Sequence, residues 1–162
     1  VLGSPSEGAI DAQKVATVAE KLLQLGCNEI CLGDTIGTGT PDKTKHLIDI
    51  VSQKIALTSL ALHFHDTYGQ AIANIYASLQ MGVSSFDSSV NGLGGCPYAK
   101  GATGNVATED VLYLLHELGI ETGIDLQKII AVGRFISQAI GRENGSKVSR
   151  AYSGTDCSLT RG

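Results

Sequence analysis

Three short runs of apolar or small residues end near residues 33, 63 and 88, and the segments between them carry apolar side chains at helical spacing. The interval of about 25 to 30 residues is the length of one strand-plus-helix unit in a parallel sheet, whose strands need a crossover connection rather than a tight turn. The strands are expected at Glu29–Gly33, Thr58–His63 and Val83–Val90. Helices are expected around 11–25 (Val15, Val18, Ala19, Leu22, Leu23), with Asp11 as N-cap, and after Thr40-Pro41, which read as N-cap and first helical position (Leu47, Ile48, Val51, Ile55). A third helix carries Ile72, Ile75, Tyr76 and Leu79 on one face, and two more are expected over 105–118 and 125–141. Val1 to Gly3 reads as the tail of an earlier strand, residues 1–145 as one domain, and 146–162 as a polar, flexible tail.

Two architectures fit this order. One is a small open α/β sheet, complete in itself. The other is a partial (β/α)8 barrel, its last three to four strand–helix units plus C-terminal helices, since a closed barrel takes about 250 residues and this chain has 162. The second predicts an uncovered inner sheet face, because barrel strands are buried on both sides. In either case the chemistry-bearing residues fall at or just beyond strand C-termini, where parallel sheets place their sites.

A net charge of −4 with 17% charged residues and no basic patch argues against a nucleic-acid or anionic-membrane partner, and no apolar run is long enough to span a bilayer. Val1 is not a natural initiator, so a targeting segment is left open. Cys27 and Cys31 form a CxxxC with no second pair to complete a zinc knuckle and read as reduced, structural thiols in a reducing compartment, while Cys157 falls in the polar tail and reads as exposed.

His63 and His65 lie two apart on a strand, so both imidazoles project to one side. Such a pair suits a divalent cation, and equally describes two ordinary histidines in a polar loop. Asp66 either orients an imidazole or caps the next helix, the second being favoured. Asn105, after Gly104, offers an amide oxygen to a hard cation or a helix cap. Asp34, after Leu32-Gly33, is either a carboxylate facing the same crevice as the histidines or a turn residue. Ser88 and Ser89 read as structural. Cys96 sits among Gly92, Gly94, Gly95, Gly101 and Gly104. That loop has neither the Gly-Lys-[Ser/Thr] of a Walker A motif nor the glycines of a dinucleotide fingerprint. Cys96 is either a thiol that enters a site on a mobile loop and donates a proton, or a free cysteine.

Taken together, Leu32-Gly33-Asp34-Thr35-Ile36-Gly37, His63-Phe64-His65-Asp66-Thr67-Tyr68-Gly69-Gln70 and the run Gly92 to Asp110 resemble the 3-hydroxy-3-methylglutaryl-CoA lyase family. The likeness runs from Gly3 to about Lys147. The HxH element is shared with related metal-dependent condensing enzymes, whereas Gly-Gly-Cys-Pro-Tyr-Ala followed by Gly-Asn-Val-Ala-Thr-Glu-Asp is more specific to the lyases.

The resemblance implies a TIM barrel that cleaves HMG-CoA to acetyl-CoA and acetoacetate with Mg2+ or Mn2+. It implies His63, His65 and Asn105 as metal ligands, Cys96, His63 and Asp34 as catalytic residues, Thr35 and Gly95 as substrate contacts, and His63 or Asp34 as the base. It implies further an arginine and an aspartate on the family's first strand, which this chain does not carry. The chain is therefore expected to need a missing N-terminal half-barrel and to be inactive alone. The complete enzyme is expected to be a homodimer of the bacterial cytoplasm or mitochondrial matrix, with no peroxisomal signal at Ser158–Gly162. A Claisen-type condensing enzyme on the same scaffold and a non-catalytic half-barrel that acts by assembly are the alternatives.

Overall fold

Helix and strand boundaries follow local chemistry closely. The computed structural model describes residues 2–4, 6–95 and 104–155; Cys96 and Cys157 lie outside the described residues. Helix α1 (Ala12–Gln24) starts where the Asp11 side chain accepts from Gln13 N at 3.0 Å. Helix α2 (Pro41–Ser52) follows Thr40, whose extended backbone turns the chain into the first helical position at Pro41. The β-strands preceding these crossovers are β3 (Ile30–Asp34), β4 (Leu60–Phe64) and β5 (Ser85–Asp87), parallel and in the order β3-β4-β5. Helix α3 (Ala71–Gln80) joins β4 to β5.

The N-terminal segment does not enter this sheet as a strand. Instead β1 (Gly3–Ser4) pairs antiparallel with β2 (Gly8–Ala9), and only Leu2 N reaches the sheet, donating to Gly33 O at 3.2 Å. The third strand is shorter than its apolar run, because the chain leaves the ladder after Asp87 and Ser89 instead bridges Ala107.

Helix α1 packs on β3, α3 packs on β4, and α2 lies against both α1 and α3. The core between them is Ala16, Ala19, Ile30, Leu32, Leu47, Ile48, Val51, Leu60, Leu62, Phe64 and Ile75. In α3 the expected apolar stripe is buried in part, with Ile75 fully buried and Ile72 and Leu79 half-buried. Tyr76 is exposed, while Asn74 and Ser78 are fully buried. Asn74 Nδ2 donates to Gly39 O at 3.1 Å and Ser78 Oγ to Asn74 O at 2.7 Å, which gives the buried amide nitrogen and the hydroxyl a partner each, while Asn74 Oδ1 has none.

The chain divides into two compact units, residues 1–87 with 95–105, and residues 88–94 with 106–162, where the sequence suggests one domain to residue 145. The second unit holds α4 (Thr108–Glu117), α5 (Leu126–Ile140) and α6 (Lys147–Thr155), with α4 against α5 and α6. Asp125 caps α5 through Gln127 N and Lys128 N, and Gly141 closes it in the left-handed conformation, φ 64°. Helix α6 occupies a segment that reads as polar tail. Its start is held by Asp110, which accepts from Ser146 Oγ at 2.6 Å, Val148 N at 2.9 Å and Lys147 N at 3.2 Å.

Candidate functional site

The register of the parallel sheet sets the site. Gly33 pairs with His63 and His63 with Asp87, so these three stand side by side across β3, β4 and β5. With Cys31, Ala61 and Ser85 two residues earlier, they form the sheet face opposite the apolar side chains that meet the helices. Cys31 and Asp87 are exposed and His63 is half-buried. Among the described residues this small and polar face is open at Cys31 and Asp87 and closed at Ala61, which is buried.

His65 follows at the strand's end. It makes an isolated antiparallel bridge with Asn105, and Asp66 N donates to Gly104 O at 3.1 Å. That pairing, rather than a helix cap, brings Asn105 beside the histidines; α4 begins only at Thr108, after Ala107 at its N-cap. The two imidazole centroids are 5.2 Å apart and tilted by 54°. His65 is buried, and its Nδ1 makes no hydrogen bond. Burial and the neighbouring His63 push its pKa down, against opposing pulls from Asp34 and the Asn105 side chain. The ring is therefore neutral at physiological pH, with a lone pair available to a cation.

His63 Nδ1 lies 3.3 Å from Asp87 Oδ2, and the Cys31 thiol donates to the same oxygen at 3.4 Å. Burial, together with Asp87 and Glu29, pushes the Cys31 thiol up to about 12, so it stays protonated. The sequence gives no hint of Asp87 on its own, because the partnership depends on register. Ser85-Phe86-Asp87 set in parallel beside Ala61-Leu62-His63 would have revealed it. Asp66 Oδ1 accepts from Ala71 N at 3.1 Å, which is the capping role.

Asp34 pairs in register with Phe64, one position beyond the Gly33–His63 pair. It is fully buried. Its Oδ2 accepts from Gly39 N at 2.9 Å, while Oδ1 has no hydrogen-bond partner. Burial raises its pKa, and the backbone amides of residues 37–39 and the nearby His65 work against the rise. The loop it holds is tight. A Cβ on Gly39 would stand 2.7 Å from Asp34 Oδ2 and 2.6 Å from Leu2 Cδ1. Thr35 follows at the same strand end, half-buried, and Gly95 is exposed. Ser88 and Ser89 are structural, Ser88 Oγ lying 2.9 Å from Thr108 Oγ1 and Ser89 O accepting from Thr108 N at 2.9 Å.

Two imidazoles and an amide, one imidazole nitrogen buried without a partner, fit part of a divalent cation's shell. Among the described residues, no three His, Cys, Asp or Glu side chains cluster as a complete site. Nor is any described helix long and apolar enough to cross a membrane.

Comparison with known proteins accords with this arrangement. The chain is 58% identical over 151 residues to bovine mitochondrial hydroxymethylglutaryl-CoA lyase, covering 93% of this chain and 46% of that one. It is 57% identical over 151 residues to the 3-hydroxy-3-isohexenylglutaryl-CoA/hydroxymethylglutaryl-CoA lyase of Pseudomonas aeruginosa, covering 93% and 50%. A crystal structure of hydroxymethylglutaryl-CoA lyase from Pseudomonas aeruginosa superposes with a TM-score of 0.92 at 56% identity, over 95% of this chain and 51% of that chain. The chain thus spans about half the length of the relatives it matches, and its α/β fold is part of their barrel. The HMGL-like family model matches residues 1–136, and the chain belongs to that family.

Proposed function

We propose that this chain is the C-terminal half of a metal-dependent carbon–carbon lyase that cleaves 3-hydroxy-3-methylglutaryl-CoA to acetyl-CoA and acetoacetate. The observation that carries this reading is the meeting of His63, His65 and Asn105 at one strand end, in a chain 58% identical to a lyase of that name over 93% of its length. His63, His65 and Asn105 are the residues that would hold Mg2+ or Mn2+. The bound cation would supply Lewis-acid polarisation of the substrate oxygens.

The remaining chemistry belongs to side chains. A base takes the proton of the tertiary hydroxyl. Asp34 suits this better than His63, because its Oδ1 has no partner and burial raises its pKa, whereas His63 Nδ1 is engaged by Asp87. The oxygen's electron pair forms the ketone of acetoacetate as the bond to the thioester methylene breaks. That bond's electrons remain as the enolate of acetyl-CoA, and the Cys96 thiol protonates its carbon. Thr35 and Gly95 would contact the substrate. A lyase of mitochondrial matrix or bacterial cytoplasm, homodimeric when complete, is proposed on the same footing.

The chain alone is proposed to be inactive, because the arginine and aspartate that the family resemblance implies lie outside it. The test is HMG-CoA cleavage with Mg2+ or Mn2+, by this chain alone and mixed with the N-terminal half of the bovine relative. Activity only in the mixture supports the reading; activity of the chain alone overturns the incompleteness. Cys96→Ala in the active mixture separates lyase from condensing enzyme. Loss of a proton donor lowers kcat by about 10²- to 10⁴-fold, whereas a condensing enzyme has no need of that thiol.

A further inference from the structure

The face shared by β3, β4 and β5 carries a carboxylate that the proposed mechanism does not use. We infer that Asp87 is a positioning residue for His63: it holds the imidazole as the Nδ1–H tautomer, so that Nε2 is the nitrogen presented to a cation.

The argument starts from the ladder. His63 and Asp87 are register partners on adjacent parallel strands, and their side chains leave the sheet on the same face. Asp87 Oδ2 stands 3.3 Å from His63 Nδ1 and 3.4 Å from Cys31 Sγ. A carboxylate oxygen only accepts, so a neutral His63 can bond it only with its proton on Nδ1. The opposite tautomer would set the Nδ1 lone pair against a negative oxygen. Cys31 strengthens the arrangement from the other side: a protonated thiol on β3 donates to the same oxygen and limits the carboxylate's rotation. Ser85, which also lies on this face, donates to Glu29 Oε2 at 3.2 Å and leaves Asp87 to the ring and the thiol.

Stability does not account for the pair. The His63 and Asp87 side chains are 33% and 56% exposed, and exposed ion pairs of this kind add little to folding. What such a carboxylate does well is select a tautomer and orient a ligand ring. The inference rests on the metal-dependent lyase reading for its purpose, but the tautomer itself does not.

The test uses the 162-residue chain without metal, labelled with 15N at the imidazoles and held near pH 8. The parent should show His63 with its proton on Nδ1. Asp87→Ala should move His63 toward the Nε2–H form and leave His65 unchanged, with no change in melting temperature. Asp87→Asn keeps an acceptor oxygen and should retain the parent tautomer; if the alanine variant fails to fold, Asp87→Ser serves in its place. Titration with Mn2+ alone should show affinity about 10- to 100-fold weaker in Asp87→Ala than in the parent. A parent His63 already in the Nε2–H form, or one unmoved by loss of the carboxylate, overturns the inference. A parent with the expected tautomer that takes up no Mn2+ leaves Asp87 as the selector of the tautomer and removes support from the metal reading instead.

Discussion

Asp34 holds two claims on one carboxylate, and substitution separates them. Its Oδ2 ties down Gly39 N, and its Oδ1 is buried without a partner. Asp34→Asn preserves an oxygen for Gly39 and removes the base; Asp34→Ala removes both and strands a buried amide. The alanine variant should lose about 1–3 kcal/mol of stability, read as a drop in denaturant midpoint, while the asparagine variant should unfold near the parent. In the complemented enzyme, however, both should lose cleavage. If asparagine retains activity, Asp34 is a turn residue only. Residues whose work is local were legible from the sequence. Asp11 and Asp66 each bond an amide two to five positions ahead in the chain, and His63 and His65 share a face by alternation alone. Asp87 was not, because its partnership depends on which residue the next strand sets beside it, and for Asp34 the sequence leaves the turn and the crevice both open.

At the scale of elements, helix starts carry more of the specification than helix faces. Asp125 accepts from Gln127 N at 2.9 Å and Lys128 N at 3.1 Å, so Asp125→Ala should cost about 1 kcal/mol, measurable as a lowered melting temperature. Asp110 acts across elements: from α4 it receives two backbone amides and a hydroxyl at the start of α6. Asp110→Ala should therefore unwind α6 while α4 and α5 persist, seen as a loss of helical circular dichroism of roughly one short helix and faster amide exchange over residues 147–155. This explains why α6 was illegible. Its sequence, Lys147 to Thr155, has few apolar residues; Ser146 Oγ caps it locally by accepting from Ser149 N at 2.9 Å, but the carboxylate that holds Ser146 and the first amides lies 37 residues upstream of Lys147. The α3 stripe misled in part for a related reason. Asn74 and Ser78 read as surface residues until their partners, Gly39 O and Asn74 O, are known. The strand–helix alternation survived these errors because it rests on period and spacing summed over many residues, which no single polar contact can reverse.

The whole chain should respond to pH and to a partner in ways that follow from what it buries and what it leaves open. Glu109 is fully buried, bonding Asn91 N through both oxygens at 3.1 and 2.9 Å. Burial raises its pKa, and Asp110 adds to the rise, against the backbone bonds that lower it. The folded protein therefore holds that proton more tightly than the unfolded chain. The resulting stability is full below the ordinary carboxylate value and is lost as pH rises through the raised one; Glu109→Gln should flatten that fall in thermal melts. The opening is on α1 and the edge of β3 away from β4. A groove of about 610 Å³ there is lined by Val15, Val18, Leu22, Ile30 and Leu32, with Val18 57% exposed. Leu25, at the C-cap of that helix, is 82% exposed. Apolar surface of this kind is expected to find cover. If the cover is the remaining barrel, the N-terminal half of the bovine relative should bind one to one. At 100-fold excess over its dissociation constant it should then raise stability by about 2.7 kcal/mol. Val18→Asp, on the exposed helix side of the groove, should weaken that complex without disturbing the fold of the chain alone. Complementation indifferent to Val18→Asp would mean that the two halves meet elsewhere, and that the groove serves another contact.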